Sequence, residues 1–245
     1  MVEIPSLRPE SRYGIPTADL LLFNRLYIVG YSYLFKQPRW AMQRIDDETM
    51  MQPDDDFDRL DNFREDNRIP DKFRSTLEDY RGSDFDRGHL VNSADSKSSK
   101  IVNSETFLPS NMSPQKGTFN RRVWLQLEER FQDLAEKEEF AEVYTICGPL
   151  FSIGSKIEVI GKNKVVVPET FFKCILAERT RAHSSNQLTI WAFEIPNKRA
   201  NLPLKDFLVP TSQIEARASL QIWDRLRGER SDKLKNRKGR MWAVG

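Results

Sequence analysis

A chain of 245 residues with 39% hydrophobic and 30% charged side chains has the make-up of a globular domain, and it is long enough to close a core without disulfides or a structural metal. This composition excludes a disordered chain. Its most apolar stretch, residues 18–35, is interrupted by Asp19, Asn24 and Arg25, which argues against membrane insertion. The net charge of +2 conceals an asymmetry: ten acidic side chains fall between Asp46 and Asp66, and eight basic ones between Arg225 and Arg240 against Glu229 and Asp232. A basic end suits a polyanion, although the plainer reading is a solvated tail.

The first residues, MVEIPSLRPESRYG, carry no basic stretch leading into an apolar core, so no secretory signal is expected. YIVGYSYLF and RWAMQRI are β-rich runs on either side of Lys36-Gln37-Pro38 and predict a hairpin. The acidic, proline-punctuated run DDETMMQPDDDFDRLDNFREDNRIPDKF has no period and predicts a long surface excursion. Val123, Leu127, Phe131 and Leu134 recur at helical spacing with no Gly or Pro between them, predicting a helix over residues 118–139 with Thr118 as N-cap. VYTICGPLF, KIEVIG, KVVVPETFFKCILAE and LTIWAFEIPN then change to short β-branched and aromatic runs, several of them central strands. A last helix is expected over Thr211–Leu226, with Ile214, Ala218 and Ile222 on one face. Cys147 and Cys174 sit inside apolar runs and read as two free buried thiols. No repeat or linker divides the chain. One α+β domain is expected over 1–226, followed by a basic C-terminal tail, 227–245.

Chemistry concentrates in DFDRGHLVNSAD, residues 84–95. A lone histidine is most often a packing residue, but the neighbours of His89 change that weighting. Asp86, Arg87, Gly88 and His89 place an acceptor, a permanent cation, a glycine tolerant of unusual backbone angles and a titratable base side by side. An imidazole can take a proton from water near neutral pH, and a guanidinium can neutralise charge building on phosphoryl oxygens, so the set suits phosphodiester cleavage.

That chemistry usually wants a divalent cation, and Asn111, Asn120 and Glu128 are the oxygen donors downstream. In a regular helix Asn120 and Glu128 lie about 12 Å apart along the axis at about 1.5 Å per residue, too far to ligate one ion together. Helical side chains lean toward the N-terminus, however, so Glu128 can reach a water carried by an ion at Asn120. A hard ion retaining most of its waters is how magnesium is commonly bound, whereas zinc would want more His and Cys. Asn111 also opens a glycosylation sequon, N-M-S, a pattern short enough to recur by chance.

With these residues assembled, YRGSDFDRGHLVNSAD resembles the signature segment of the DNA/RNA non-specific endonucleases of the ββα-metal class, the endonuclease G-like nucleases. FLPSNMSPQKGTFNRRVWLQLEE is similar to their Asn-bearing strand-to-helix segment, VYTICGPLF, KVVVPETFFKCIL and IPN to later core strands, and DNFREDNRIP to the approach to the site. The likeness runs from about Tyr27 to Val209. It implies a ββα-metal (His-Me finger) fold with mixed, largely antiparallel sheets and a central metal-bearing helix. It also implies His89 as general base, Arg87 as stabiliser of the phosphoryl transition state, and Asn120 as the single direct ligand of Mg2+, for which Mn2+ can substitute. Glu128 and Asp86 would hold metal-bound waters and Asn111 would support the site. The activity implied is cleavage of DNA and RNA with little sequence preference, leaving 5′-phosphate and 3′-hydroxyl ends.

One departure stands out. Where secreted bacterial relatives carry an upstream substrate-gripping arginine, this chain has Asp61, with Arg59 and Arg64 only nearby. A catalytically silent nucleic-acid-binding protein is the first alternative, although His89, Asn120 and Glu128 are intact. An effector module gated by a regulatory partner is the second, motivated by the acidic excursion and the basic tail. No base-reading motif such as a zinc finger favours sequence specificity. A homodimer is an expectation from the relatives, and the compartment, intracellular or mitochondrial with a trimmed leader, stays open.

Overall fold

The computed structural model describes residues 8–45, 61–152, 154, 157–180 and 188–243. Most of the acidic excursion, residues 46–60 and Arg59 with them, therefore lies outside the described residues.

The apolar runs form strands, as their period predicts. β1 (Leu20–Phe23), β2 (Tyr27–Ser32) and β3 (Gln37–Ile45) are followed by the short β4 (Asp86–His89) and β5 (Met112–Gln115). After them come β6 (Phe140–Leu150), β7 (Val159–Ile160), β8 (Val165–Val166), β9 (Thr170–Arg179), β10 (Leu188–Pro196) and β11 (Leu208–Val209). Seven of them make one sheet in the order β1-β2-β3-β6-β9-β10-β11, every neighbouring pair antiparallel. β4 pairs with β5, and β7 with β8, as separate two-stranded ribbons. The β2–β3 turn falls at Tyr33–Lys36, with Lys36 at φ 54°, and Gln37 and Pro38 already belong to the strand.

The helices are α1 (Leu77–Tyr80), α2 (Lys100–Glu105), α3 (Leu125–Ala135), α4 (Thr211–Ala218) and α5 (Glu229–Asn236). The predicted helix over 118–139 is thus shorter than expected, and its first turn, Phe119–Trp124, is π-helical; Thr118 makes no side-chain cap bond. The predicted helix over 211–226 stops at Ala218, because Ser219 enters the left-handed region at φ 50°; Ile222 and Trp223 are buried in the loop beyond it. The basic C-terminal stretch is not a solvated tail, since α5 packs on α4 and β10.

The sheet separates two cores. On one face Leu127, Phe131 and Leu134 of α3 pack with Phe119, Leu90, Val143 and Phe171. On the other, Ile214 of α4 packs with Ile28, Trp40, Ile146 and Leu176. Truncating a fully buried side chain such as Phe131 to alanine costs about 3–5 kcal/mol. Cys147 and Cys174 are free and buried, as their apolar context predicts.

Candidate active site

The ribbon β4–β5 carries the motif, with Asp86 opposite Gln115 and His89 opposite Met112. Gly88 faces Ser113, and a Cβ there would lie 2.1 Å from the buried Gln115 side chain. Space, rather than an unusual backbone angle, is what requires glycine between Arg87 and His89. Past His89 the chain is fixed by Asn111, whose Oδ1 accepts from Val91 N at 3.0 Å and whose Nδ2 donates to Val91 O at 2.9 Å and Thr106 O at 3.0 Å. Asn111 is fully buried, and its side chain holds two loops together behind the histidine instead of facing the cleft.

An open cleft of about 580 Å³ is lined by Phe63, Arg81, Asp86, Arg87, His89 and Asn120 among others. Half-buried His89 is oriented by aromatic contacts: Phe107 meets its ring edge-on at 5.3 Å and Phe63 lies at 6.1 Å. Exposed Arg87 stacks its guanidinium over Phe63 at 3.9 Å. Phe63 itself is delivered by the DNFREDNRIP segment. Asn62 Nδ2 donates to Ser104 Oγ at 2.7 Å and Arg64 Nη1 to Ser104 O at 2.8 Å. Asp66 accepts from Ser110 Oγ at 2.6 Å and Arg68 Nη2 at 2.7 Å. Burial alone would raise the Asp66 carboxyl, but the Arg68 and Ser110 bonds outweigh it and hold it below the usual range. Arg64 is therefore spent on the loop, and the cationic groups lining the cleft are Arg81 and Arg87.

Asn120 meets the motif directly: its Nδ2 donates to Asp86 Oδ2 at 3.0 Å. Asp86 also receives Arg121 Nη1 at 3.0 and 2.9 Å, a contact the sequence did not reveal although Arg121 adjoins Asn120. The π turn changes the helix geometry. Leu125 N–H reaches Asn120 O, five residues back. In a pure α-helix, eight residues rotate about 80° beyond two turns, whereas seven fall about 20° short. One π insertion makes the eight-residue separation behave as seven, bringing Asn120 and Glu128 to nearly the same side.

Glu128 is buried on that side and accepts from Asn92 Nδ2 at 3.2 Å, which ties α3 to the segment following His89. Burial pushes its carboxyl up to about 8; the Lys173 ammonium opposes this and Asp95 reinforces it. Lys173, almost wholly buried on β9, lies 5.1 Å from the Trp124 ring and 5.5 Å from Phe131. Asp95 in turn accepts from Gln43 at 3.0 Å and Gln132 at 2.6 Å.

Asp86 and Asn120, bonded to each other on the cleft wall, offer the oxygen donors that suit a hard cation, with Glu128 buried behind them on α3. The Asn120 amide is held by its nitrogen, leaving Oδ1 as the donor. Among the described residues no cluster of three His, Cys, Asp or Glu side chains could form a protein-only cage. One carboxylate and one amide oxygen at the cleft are a donor set that suits an ion keeping most of its waters.

Comparison with known proteins gives a consistent result. The model of the DNA/RNA non-specific endonuclease family matches residues 8–229. Mitochondrial endonuclease G of Homo sapiens is 33% identical over 221 residues, covering 86% of this chain and 71% of that protein. Mitochondrial nuclease 1 of Schizosaccharomyces pombe is 37% identical over 226 residues, covering 86% and 68%, respectively. Nuclease C1 of Cunninghamella echinulata var. echinulata is 34% identical over 226 residues, covering 88% and 87%. A chain in the crystal structure of the EndoG/EndoGI complex superposes with a TM-score of 0.81 at 32% identity, covering 89% of this chain and 91% of that one. A match of this extent in both sequence and fold makes the chain a member of the DNA/RNA non-specific endonuclease family, a nuclease of the metal-dependent ββα type.

Proposed function

We propose that the protein hydrolyses DNA and RNA phosphodiester bonds with little sequence preference, with His89 as general base and magnesium as cofactor. The observation that carries this reading is the convergence of His89, Arg87 and the bonded pair Asp86–Asn120 on one open cleft. The aromatic contacts of Phe63 and Phe107 hold the imidazole ready to remove a proton from water. The water oxygen then bonds to phosphorus while the P–O3′ bond breaks, leaving a 5′-phosphate and, after protonation, a 3′-hydroxyl. Arg87, kept extended by its stacking on Phe63, neutralises charge on the non-bridging oxygens. Asn120 would ligate the cation directly, with Asp86 and Glu128 holding its waters. When bound, the cation supplies charge neutralisation at the scissile phosphate and at the leaving oxygen. Asn111 supports the site through the backbone it clamps.

The relatives' names support a mitochondrial compartment, which imaging of the tagged full-length protein tests, and family habit supports a homodimer, which light scattering tests. Among the described residues no helix is long and apolar enough to cross a membrane. The activity is tested by digesting plasmid DNA and single-stranded RNA with purified protein in magnesium and in EDTA. Magnesium-dependent degradation of both supports the reading; binding without cleavage refutes it and favours a silent or gated module.

A further inference from the structure

The basic run from Arg225 to Arg240 is anchored at its start, where Arg225 N donates to Tyr13 O at 3.1 Å, within α5 and again beyond it. In α5, Leu234 faces the core beneath α4, and buried Lys235 donates to Glu215 Oε1 at 3.0 Å. Beyond the helix the chain crosses the edge of β10. There Trp191 Nε1 donates to Arg240 O at 2.6 Å, and a Cβ on Gly239 would lie 2.7 Å from the Trp191 ring. Trp242 then stacks edge-on with Trp191 at 5.1 Å and donates from Nε1 to Arg130 O on α3 at 3.2 Å. The charges between these anchors are carried on a fixed surface.

That surface borders a cleft of about 940 Å³ lined by Arg179, Arg230, Lys233 and Arg237, with Glu229 as its acidic member. Lys233 pairs with Glu229 at 2.6 Å, an exposed pair that is weak and exchanges readily for a stronger anion, whereas half-buried Arg179 pairs with Glu139 and is held at the cleft wall. From this we infer that the cleft is a second polyanion site, gripping the sugar-phosphate backbone of a long substrate away from the catalytic cleft; the inference rests on the nuclease reading above.

The placement of the two clefts gives it its shape. Phe85 lines both the catalytic cleft and an adjoining one that Thr170 of β9 also lines, whereas Arg179 at the other end of β9 lines the basic cleft. Nine residue steps at about 3.3 Å put Thr170 and Arg179 about 30 Å apart along β9. The α4–α5 layer also covers the sheet face opposite α3. A duplex rising about 3.4 Å per base pair must exceed about ten base pairs, and bend around the edge of the sheet, to touch both. A membrane surface fits less well, because α5 turns its apolar Leu234 inward and offers charge outside.

The test compares intact protein with the exposed triple variant Arg230→Gln, Lys233→Gln, Arg237→Gln, its fold checked by circular dichroism. Binding is measured in EDTA against salt, and cleavage in magnesium, on a hairpin with about eight base pairs and on a duplex of about forty. The long duplex should lose roughly tenfold in affinity, its log–log salt slope should fall by about 2–3, and cleavage of the hairpin should be unchanged. An unaltered slope on the long duplex, an equal loss on both lengths, or a loss confined to anionic vesicles or acidic peptide would overturn the second site. If the intact protein cleaves neither substrate, it is the nuclease reading that fails.

Discussion

Asp86 on β4 and Asn120 on the π-helical turn are joined by a hydrogen bond of 3.0 Å, so the strand bearing the histidine and the helix bearing the proposed cation ligand are one unit. Asn120→Asp would place two carboxylates at this distance. Without cation the variant should lose on the order of 1–3 kcal/mol. Magnesium should then raise its Tm more than it raises that of the parent. Thermal unfolding with and without magnesium measures this, and equal shifts in the two proteins would count against a cation between these residues.

Arg121 competes for the same carboxylate, bonding both oxygens of Asp86 from an exposed position. Arg121→Gln should therefore raise magnesium affinity several-fold, as titration calorimetry would show. Unchanged or weaker binding would mean that Asp86 does not take part.

The raised carboxyl of Glu128 sets a pH dependence. A carboxyl at about 8 in the folded state, against about 4.3 unfolded, binds its proton more tightly when folded. In EDTA its contribution is full below about pH 4.3 and declines as pH rises through about 8. Denaturant unfolding from pH 5 to 9 should show that decline, and Glu128→Gln should flatten it. A parent and variant with parallel profiles would contradict the assignment.

Asp66 has the opposite sign. Its folded carboxyl is depressed, because the Arg68 and Ser110 bonds outweigh burial. Its contribution is present above the unfolded value of about 3.9 and is lost as pH falls through the lower folded value. Asp66→Asn should cost about 1–3 kcal/mol at neutral pH and less at pH 2, by urea unfolding. A cost that grows on acidification would show that the carboxylate is not what holds this loop.

How much of this was legible in the sequence depends on distance along the chain. Asp86, Arg87, His89, Asn120 and Glu128 lie within two neighbouring segments whose residue types mark them as candidates and whose family resemblance implies their roles. Phe63 and Phe107, which orient the histidine, reach it only through tertiary packing, and nothing local distinguishes them from other aromatics. The π turn carries neither Gly nor Pro, so a continuous α-helix was the natural expectation from period alone. α5 was hidden by its polarity: only Leu234 and the stem of Lys235 turn inward, too few to make a periodic stripe. At Gly88 the sequence points to backbone freedom, whereas the structure requires room beside Gln115.

In the proposed mechanism His89 performs the chemistry rather than the binding. Single-turnover cleavage of a defined duplex by His89→Ala, with duplex affinity measured alongside in EDTA, tests it most directly. The rate should fall about 10²–10⁴-fold while affinity stays within a few-fold of the parent. A variant cutting within tenfold of the parent rate, or one whose loss is matched by a loss of affinity, would contradict it.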